Sequence, residues 1–342
     1  MIDPVLFDDW HPVAAADALT PGTILAAQLL EHDLIVWRSK DGTVHAWDDR
    51  CPHRGARLSL GRITEDRVVC AYHGWQFAPT GACVLQPAQP RDTQPKSACA
   101  RSFHAQQAYG LVWVCLGNPV RDLPPFPEYA QATDTGLRTV LCGPYPVHAC
   151  GPRIIENFLD MAHFGFIHEG ILGEAGHAEV PDYKVGPFDD GQGEHGLQGV
   201  IATECFAYQP LASLAANEGS MVEYTYRVVR PLTAILTKLP QHGVTNDAHD
   251  AISLHVQPVD EEHCQAWIVL ALKDVTSSDD ELRAFQDRIF LQDLAVLESQ
   301  RPKRIPLEVG VEIPQRADRL SAAYRRMLKS VGMKYGILIQ ES

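Results

Sequence analysis

Short apolar runs separated by turn residues dominate the first 120 residues of the chain. Residues 33–38 and 43–48 are two such runs, and they are joined through Lys40-Asp41-Gly42. Asp-Gly between apolar runs predicts a β-hairpin. Residues 68–77 and 109–116 supply two further strand-like runs. This pattern predicts a small all-β domain.

Strand-like runs also recur in the rest of the chain, where they accompany two helical patterns. The runs are residues 199–208, 221–229, 251–257 and 265–272. Together they predict an α+β domain in which an antiparallel sheet wraps on helices, with a pocket between sheet and helix. The proline-rich residues 118–129 separate the two patterns. The sequence therefore predicts one domain over residues 1–124 and a second over residues 125–342.

The first helical pattern, within residues 151–170, is apolar on both sides. One face carries Ile155, Phe158, Leu159 and Ala162. Asn157, Asp160 and His163 follow one another at intervals of three on the other side. Because a helix that is apolar all round is buried, the polar groups of Asp160 and His163 need partners there.

His168 lies five residues beyond His163, which on an ideal helix would turn it about 140° away. The two imidazoles can reach one point only if the helix ends or distorts between them. We expect that interruption at Gly165.

The second helical pattern begins at a capping box made by Ser278 and Glu281, and Pro302 lies just beyond its end. Its apolar stripe consists of Leu282, Phe285, Ile289, Val296 and Leu297. Asp293 lies inside this stripe, where a carboxylate is costly unless it is paired or bound to a metal. A buried salt bridge is the alternative role for Asp293. Asp280 and Asp287 fall off the stripe and are expected to be solvated.

Composition narrows the class of protein. A net charge of −14 makes nucleic acid and anionic membranes unfavourable partners. No apolar run approaches the roughly 18 residues needed to span a membrane, and the first residues lack the basic start and apolar stretch of a signal peptide. Nine cysteines, an odd number, favour a reducing compartment over a disulfide framework. We expect a cytoplasmic protein.

The chemistry is most specific in two short motifs of the first domain. Cys51 and His53 lie in CPHRG, and Cys70 and His73 lie in CAYHGW. Two cysteines and two histidines are the ligands of a Rieske [2Fe-2S] cluster, whose imidazoles raise its potential to roughly −150 to +300 mV. Zinc is the alternative metal, but zinc motifs more often pair Cys with Cys and His with His.

A cluster that donates single electrons needs an acceptor in the same chain. His163, His168 and Asp293 together would make a 2-His-1-carboxylate triad, which binds Fe(II) and leaves positions open for O2 and substrate. Taken alone, the two histidines would more often be hydrogen-bonded core residues. Because the chain also carries a cluster motif, we expect the two histidines to bind a metal instead.

These motifs resemble those of the Rieske non-haem iron oxygenases. The pattern matches as C-x-H-x16-C-x2-H from Cys51 and as N-x2-D-x2-H-x4-H from Asn157, while QDLAVLESQ from Gln292 resembles the segment that supplies the carboxylate. The resemblance covers nearly the whole chain. It is greatest to short members such as vanillate and dicamba O-demethylases, caffeine N-demethylase, toluenesulfonate methyl-monooxygenase and saxitoxin-pathway hydroxylases.

The resemblance implies a role for each matched residue. Cys51, His53, Cys70 and His73 would bind the cluster, and His163, His168 and Asp293 the mononuclear iron. Asp160 would bridge His73 of one subunit to His163 of the next in a head-to-tail homotrimer, and a carboxylate in that place orients both imidazoles. Asn157 matches a variable polar position near the iron.

The resemblance also implies a monooxygenase. A separate flavin- or ferredoxin-type reductase would pass electrons from NAD(P)H to the cluster, and O2 would hydroxylate a C–H bond of a small aromatic or heterocyclic substrate. If that carbon bears nitrogen or oxygen, the net reaction is demethylation. A ring cis-dihydroxylating dioxygenase is the runner-up, and an electron-transfer protein or a zinc-bound module is a weaker alternative. His255, within ISLHVQP, is a possible polar contact in the pocket.

Overall fold

The protein divides into two compact units in the computed structural model, which describes residues 3–192, 196–211, 218–240, 249–274 and 276–339. One unit is Leu6–Val120, and the other is Arg121–Ser342 together with Met1–Val5. Both contain sheets and the second also contains long helices, so the α+β prediction is confirmed. Within the described ranges, none of the helices has the length and apolar character needed to cross a membrane.

The first unit is built from ten short strands. In chain order they are β1 His11–Ala15, β2 Ile24–Leu29, β3 His32–Arg38, β4 Val44–Asp48, β5 Arg62–Thr64, β6 Arg67–Val69, β7 Gln76–Phe77, β8 Cys83–Leu85, β9 Ser102–Ala108 and β10 Leu111–Cys115. They form a six-stranded sheet in the order β1-β10-β9-β4-β3-β2 and a four-stranded sheet in the order β5-β6-β7-β8. The predicted hairpin is confirmed, because β3 and β4 pair from Leu34 opposite Asp48 to Arg38 opposite Val44.

The core of this unit contains both cysteines of the cluster motifs. Cys51 and Cys70 belong to one buried cluster with Trp37, Trp47 and Phe77. Burying such large aromatic side chains supplies much of the stability of a small domain. The two segments that carry the cysteine-histidine motifs are therefore anchored in the apolar core of the unit.

The second unit contains the remaining strands, which are β11 Arg138–Val147, β12 Lys184–Asp189, β13 Gln198–Gln209, β14 Ser220–Arg230, β15 Thr233–Pro240, β16 Asp250–Pro258, β17 Cys264–Leu272, β18 Ile305–Pro306 and β19 Ile337–Leu338. The first seven form an antiparallel sheet in the order β11-β17-β16-β15-β14-β13-β12, and β18 and β19 form a short parallel pair. All four runs predicted for this domain lie in the large sheet, as β13, β14, β16 and β17.

Across the described ranges of both units, the chain forms seven α-helices. They are α1 Pro4–Phe7, α2 Pro127–Ala130, α3 Ala132–Thr135, α4 Gly151–Leu159, α5 Phe164–Ile167, α6 Asp279–Ser299 and α7 Arg319–Ser330. Single 3-10 turns lie at Leu58–Leu60, Ala175–His177 and Arg316–Asp318. The predicted start of α6 is confirmed, because the Ser278 hydroxyl accepts from the Glu281 amide while the Glu281 carboxylate accepts from the Ser278 amide.

Two helices cover one face of the large sheet. α4 packs on β15 and β16, and α6 packs on β11. A side chain at Gly151, the first residue of α4, would place its Cβ 2.6 Å from a methyl group of Leu232, so glycine permits the close approach of this helix. The space between α4, α6 and the sheet is where the second candidate metal centre lies.

Candidate metal centres

The two cysteine-histidine motifs fold into loops with the same backbone hydrogen bonds. The Cys51 amide donates to the Ala56 carbonyl and the Gly55 amide to the Cys51 carbonyl; the Cys70 amide donates to the Trp75 carbonyl and the Gly74 amide to the Cys70 carbonyl. Gly55 and Gly74 have φ values of 72° and 70°, which side chains other than glycine adopt at a cost. The sequence thus forms two matched loops that present one cysteine and one histidine each.

The four side chains of these loops lie together. The Cys51 thiol is buried beside the Cys70 thiol, and burial raises its pKa to about 11, with the Cys70 neighbour adding to the shift. The rings of His53 and His73 have centroids 4.6 Å apart, and His53 stacks on Trp75 at 4.4 Å. Nδ1 of His53 is buried and has no hydrogen-bond partner in the part of the chain that the structure describes. Two inner thiols and an unpaired imidazole nitrogen suit the donor set of a Rieske cluster.

The histidine side of this group lies at the surface of the unit. His73 and its neighbour Tyr72 are exposed, while both cysteines are buried. An electron would therefore reach solvent or another protein through the imidazole side.

The second set of predicted residues surrounds a break in the helix that carries Asn157. α4 ends at Leu159, and Asp160 is extended, with φ −90° and ψ 131°. His163 then precedes the short α5, and His168 follows it. The expected interruption at Gly165 is therefore wrong, because the helix ends before His163 and Gly165 lies inside α5. A Cβ at Gly165 would lie 2.8 Å from the Glu174 carbonyl oxygen, so this glycine permits close chain packing.

Because the helix ends at this point, the side chains of His163 and His168 both lie close to the carboxylate of Asp293. Each of the two histidines and Asp293 offers one ligand atom, and these atoms all lie within 4.8 Å of one another. Nε2 of His163 is 3.6 Å and Nε2 of His168 is 3.3 Å from Oδ1 of Asp293. The arrangement has the composition of a facial triad, so the residues fit a mononuclear Fe(II).

Two different acceptors orient the histidines. Nδ1 of His163 is 3.0 Å from Oδ2 of Asp160, and Nδ1 of His168 is 2.9 Å from Oε1 of Gln292. With Nδ1 carrying the proton, each Nε2 has its lone pair free for a metal. The outer partner of one histidine is thus a carboxylate and that of the other is a neutral amide.

Asp160, beside the triad, favours its ionised form despite burial. Burial opposes the ionisation of Asp160, but hydrogen bonds from His163 and from the Ala162 amide hold its pKa below the ordinary value. Burial also lowers the pKa of His168, but Asp293 and Gln292 outweigh it, and the net shift is upward. The ionised carboxylate of Asp160 therefore adds a negative charge beside the triad, which favours a bound cation.

The buried face of α6 differs from the predicted stripe. Its buried residues are Leu282, Gln286, Phe290, Asp293 and Leu297. Val296 is 39% exposed, whereas Gln286 is buried, which the apolar pattern could not indicate. Asp280 is solvated as expected, but that expectation is wrong for Asp287, which is half-buried and accepts a hydrogen bond of 2.6 Å from the Tyr145 hydroxyl.

Asn157 lies beside the triad. Its Nδ2 donates to Oδ1 of Asp293 over 3.4 Å, a long bond that links the end of α4 to the middle of α6. Asn157 therefore touches the carboxylate that faces both histidines.

A cavity of about 130 Å³ opens against this triad. The sheet wall includes Tyr224, Tyr226, Leu236, Lys238, Ile252, Leu254, Ile268 and Leu270, and the helix wall includes Phe158, Leu282, Phe285, Gln286, Ile289 and Phe290. Most of the lining is aliphatic or aromatic, with a few polar groups, which is usual for a small-molecule site.

Several residues of this cavity escaped sequence reasoning, while one suggested residue lies elsewhere. Tyr224, Tyr226 and Gln286 line it, and their only signal in the sequence was a polar group on a predicted strand or helix face. His255 is not among the lining residues. It is buried, and its Nε2 forms a hydrogen bond of 2.9 Å with the Ser253 hydroxyl. Burial lowers the pKa of His255 to about 3.

Comparison with known proteins identifies the family. Residues 9–107 match the Rieske [2Fe-2S] domain, and residues 147–333 match the vanillate O-demethylase oxygenase C-terminal domain. Methylxanthine N1-demethylase NdmA of Pseudomonas putida is 34% identical over 333 residues, which are 94% of this chain and 88% of NdmA. The probable methylxanthine N7-demethylase NdmC of Pseudomonas sp. (strain TJI-51) is 42% identical over 68% of this chain and 78% of NdmC.

A solved structure and one further relative extend the comparison. The structure of Pseudomonas putida CBB5 NdmA with caffeine superposes with a TM-score of 0.77 at 30% identity, covering 95% of this chain and 90% of that chain. Oxidoreductase NdmD of Pseudomonas putida is 37% identical over 138 residues, which are 39% of this chain and 24% of NdmD.

The chain therefore belongs to the Rieske non-haem iron oxygenases. Within that class its C-terminal domain is of the vanillate O-demethylase type. The enzyme is a Rieske monooxygenase that uses a [2Fe-2S] cluster, mononuclear iron, O2 and electrons from a separate NAD(P)H-dependent reductase. The match to the vanillate O-demethylase C-terminal domain favours a monooxygenase over the alternatives considered from the sequence. These were a ring dioxygenase, an electron-transfer protein and a zinc-bound module.

Proposed function

We propose that the protein is the oxygenase component of an N-demethylase that acts on a small methylated heterocycle. The observation that carries the proposal is the apolar and aromatic cavity that opens directly on His163, His168 and Asp293. Its relatives NdmA and NdmC are named as methylxanthine demethylases, which supports a substrate of similar size and chemistry.

The size of the cavity supports a compact ring substrate. Its volume of about 130 Å³ is close to the roughly 150 Å³ of an engineered apolar cavity that binds benzene. Aromatic side chains along the lining favour a flat ligand that can stack or make edge contacts. The cavity is better suited to one compact, flat ring system than to a long-chain molecule.

In this proposal the predicted domain of residues 1–124 holds the cluster and that of residues 125–342 holds the iron. Cys51, Cys70, His53 and His73 bind the cluster. His163, His168 and Asp293 would hold Fe(II), and that metal would supply the chemistry by which O2 and electrons from the cluster hydroxylate the methyl group. The hydroxymethyl product then loses formaldehyde. One N-methyl group, one O2, two electrons and two protons give one N–H group, one formaldehyde and one water.

The protein's own residues orient this chemistry. Asp160 and Gln292 accept from the Nδ1 atoms of the two histidines and hold their rings in one orientation. Asn157 donates to Asp293 and restricts the carboxylate. The apolar lining excludes bulk water from the cavity. This exclusion limits side reactions that would consume electrons without oxidising the substrate.

We extend the proposal to a homotrimer in which each cluster serves the iron of a neighbouring subunit. A second groove, of about 610 Å³, reaches Asp160 and His163 from the side of residues 307–314. Val309 and Ile313 at this groove are 98% and 97% exposed. In the first unit, Tyr72 of the second cluster loop and Leu60 of the 3-10 turn after the first loop have exposed side chains. Two such surfaces on different parts of one chain suit a head-to-tail contact that closes into a ring.

Two further assignments complete the proposal. The resemblance to NdmD supports a reductase partner of the flavin or ferredoxin type, and no nucleic acid or membrane is required. None of the nine cysteines, all of which lie in the described ranges, forms a disulfide, which supports the reducing cytoplasm as the compartment.

The test is a reconstituted assay of the iron-loaded protein with an NADH-dependent reductase, O2 and each N-methylated xanthine in turn. We expect formaldehyde to form in a one-to-one ratio with the demethylated product, and the ratio to NADH to approach one. A cis-diol product, or NADH oxidation without formaldehyde for every substrate, would overturn the assignment as an N-demethylase.

A further inference from the structure

One buried tyrosine outside the cavity contacts the helix that forms one of its walls. Tyr145 lies on β11, directly after a shift in the strand register between Cys142 and Tyr145. It is buried but does not belong to the residues that line the cavity. Because α6 packs on β11, Tyr145 can act on a ligand in the cavity through α6.

The Tyr145 side chain contacts two residues of α6 that are three positions apart. Its hydroxyl donates to Oδ1 of Asp287 over 2.6 Å. Its ring stacks on that of Phe290, with centroids 4.4 Å apart and an interplanar angle of 21°. Residues three apart are neighbours on one side of a helix, and Asp293 lies a further three positions along. Tyr145 therefore stabilises the turn of α6 that precedes Asp293.

A glycine leaves room for the Tyr145 ring. Gly143 has a φ of 89°, in the left-handed region that favours glycine. A Cβ at Gly143 would lie 3.1 and 3.2 Å from two ring atoms of Tyr145 and 2.7 Å from the Ala266 carbonyl oxygen. A side chain at this position would therefore press against the ring that stacks on Phe290.

Phe290 connects Tyr145 to the cavity. Phe290 is buried and lines the cavity, together with Gln286 and Ile289 of the same stretch of α6. Stacking on Tyr145 restricts the Phe290 ring, and the hydrogen bond to Asp287 in turn restricts the Tyr145 ring. A wall that is ordered before the ligand arrives reduces the entropy lost on binding.

We propose that Tyr145 is a positioning residue that fixes Phe290 as part of the cavity wall and thereby orients a flat ring bound there. The inference rests on the proposed use of this cavity as the substrate site. Because the cavity opens on the triad, the orientation of the ring decides which methyl group lies nearest to the metal. A displacement of about 1 Å can change the rate of reaction by about 100-fold. Tyr145 thus selects among the N-methyl groups of one substrate.

The variants separate the hydrogen bond from the stacked ring. Tyr145→Phe keeps the ring and removes the donor to Asp287, and Asp287→Ala removes the same hydrogen bond from the other side. Asp287→Asn retains an oxygen that can accept from Tyr145. Tyr324→Phe is the matched control, because the buried Tyr324 hydroxyl donates to the Pro231 carbonyl over 2.7 Å and Tyr324 does not line the cavity.

The iron-loaded protein is tested with caffeine, which carries N-methyl groups at three ring positions. The reconstituted assay gives the ratio of the main demethylation product to the other two, and anaerobic titration calorimetry gives the dissociation constant. We expect Tyr145→Phe and Asp287→Ala each to lower the product ratio about 3- to 10-fold and to weaken caffeine binding about 2- to 10-fold. Iron content and the Rieske EPR signal should stay at the wild-type level in both variants.

The double variant should have no larger effect than either single variant, because all three lack the same hydrogen bond. Asp287→Asn should keep most of the selectivity, and Tyr324→Phe should keep all of it. The inference is overturned by an unchanged product ratio in Tyr145→Phe, by an equal change in Tyr324→Phe, by additive effects in the double variant, or by loss of iron from Tyr145→Phe.

The binding measurement separates this inference from the proposed demethylation. If the wild type binds caffeine but releases no formaldehyde, the proposed demethylation of caffeine fails, and the dissociation constants decide the role of Tyr145. Weaker binding by Tyr145→Phe and Asp287→Ala alone would then support the inference. Unchanged binding in these variants, or no binding of caffeine to the wild type, would overturn it.

Discussion

The two metal centres are built in opposite ways. The cluster loops are local structures, in which each cysteine-histidine pair lies within a few residues and the same two backbone hydrogen bonds recur. The triad combines a break after α4 with a residue from the middle of α6, far away in the sequence. The first centre depends on loop geometry, and the second depends on how a whole domain folds.

Their electrostatic character differs as well. In the cluster loops the buried groups are thiols, and burial raises the pKa of Cys51. Beside the triad, hydrogen bonds from His163 and the Ala162 amide hold the pKa of Asp160 below its ordinary value. Burial thus favours a neutral thiol at the first centre until a metal binds, whereas the second centre has a neighbouring carboxylate that favours its ionised form.

Asp293→Ala should have the largest effect, because it removes the carboxylate that both histidines face. We expect the iron content to fall from about three to about two per chain with the Rieske EPR signal intact, and substrate oxidation to be lost with the mononuclear iron. Iron analysis and EPR after dithionite reduction check this. Asp280→Ala, on the exposed side of the same helix, should keep all iron; loss of the cluster signal in Asp293→Ala would contradict the independence of the two centres.

Cys70→Ala tests the opposite centre. The visible absorption of the cluster and reductase-dependent turnover should disappear, while about one iron per chain remains at the triad. The reason is that no residue of the triad belongs to the unit that carries the cluster loops. Cys99→Ala, at an exposed cysteine of the same unit, is the control. Absence of all iron from Cys70→Ala would show that the triad cannot load without the cluster.

Asp160→Asn should have a smaller effect, because it keeps the shape but removes the charge that orients His163. Changes to groups that support metal ligands cost roughly 10- to 100-fold in metal affinity or activity. Competition with a chelator would measure the iron affinity directly. A variant that binds iron normally but loses reductase-dependent turnover would instead point to electron transfer between subunits.

Gln292→Leu should have the smallest effect, because the amide that holds His168 is neutral. We expect iron affinity to fall about 10-fold, and Gln292→Glu, which can still accept from Nδ1, to restore most of it. The same chelator competition serves for both variants. Equal affinity of Gln292→Leu and the wild type would mean that Asp293 alone orients His168.

Sequence reasoning was most informative where the structure is local. The hairpin of β3 and β4, the capping box at Ser278 and the grouping of cysteines with histidines depend on neighbours in the chain. The position of the helix break could not be predicted, because the end at Leu159 depends on how the segment packs, and Gly165 was a misleading signal.

The pocket between sheet and helix was predicted, but its lining residues were not. Tyr224 and Tyr226 were visible only as residues of a predicted strand, and which sheet face meets α6 is decided by tertiary packing. Gln286 interrupts the apolar pattern of α6, yet it is buried because the cavity lies beside it. Burial of a helix face is predicted from the regular spacing of its apolar residues. A polar residue that lines a cavity interrupts this spacing, so its burial is not predicted.

The division of the cavity into a helix wall and a sheet wall has a consequence for engineering. α6 carries Asp293 and Gln292 as well as the lining residues one and two turns away, so replacements there risk disturbing the metal. β14 and β15 contribute lining residues but none of the three triad ligands. Mutant libraries aimed at new substrates should therefore vary the residues of the sheet wall first. The residues of α6 should be kept, because they hold the metal ligand Asp293 in place.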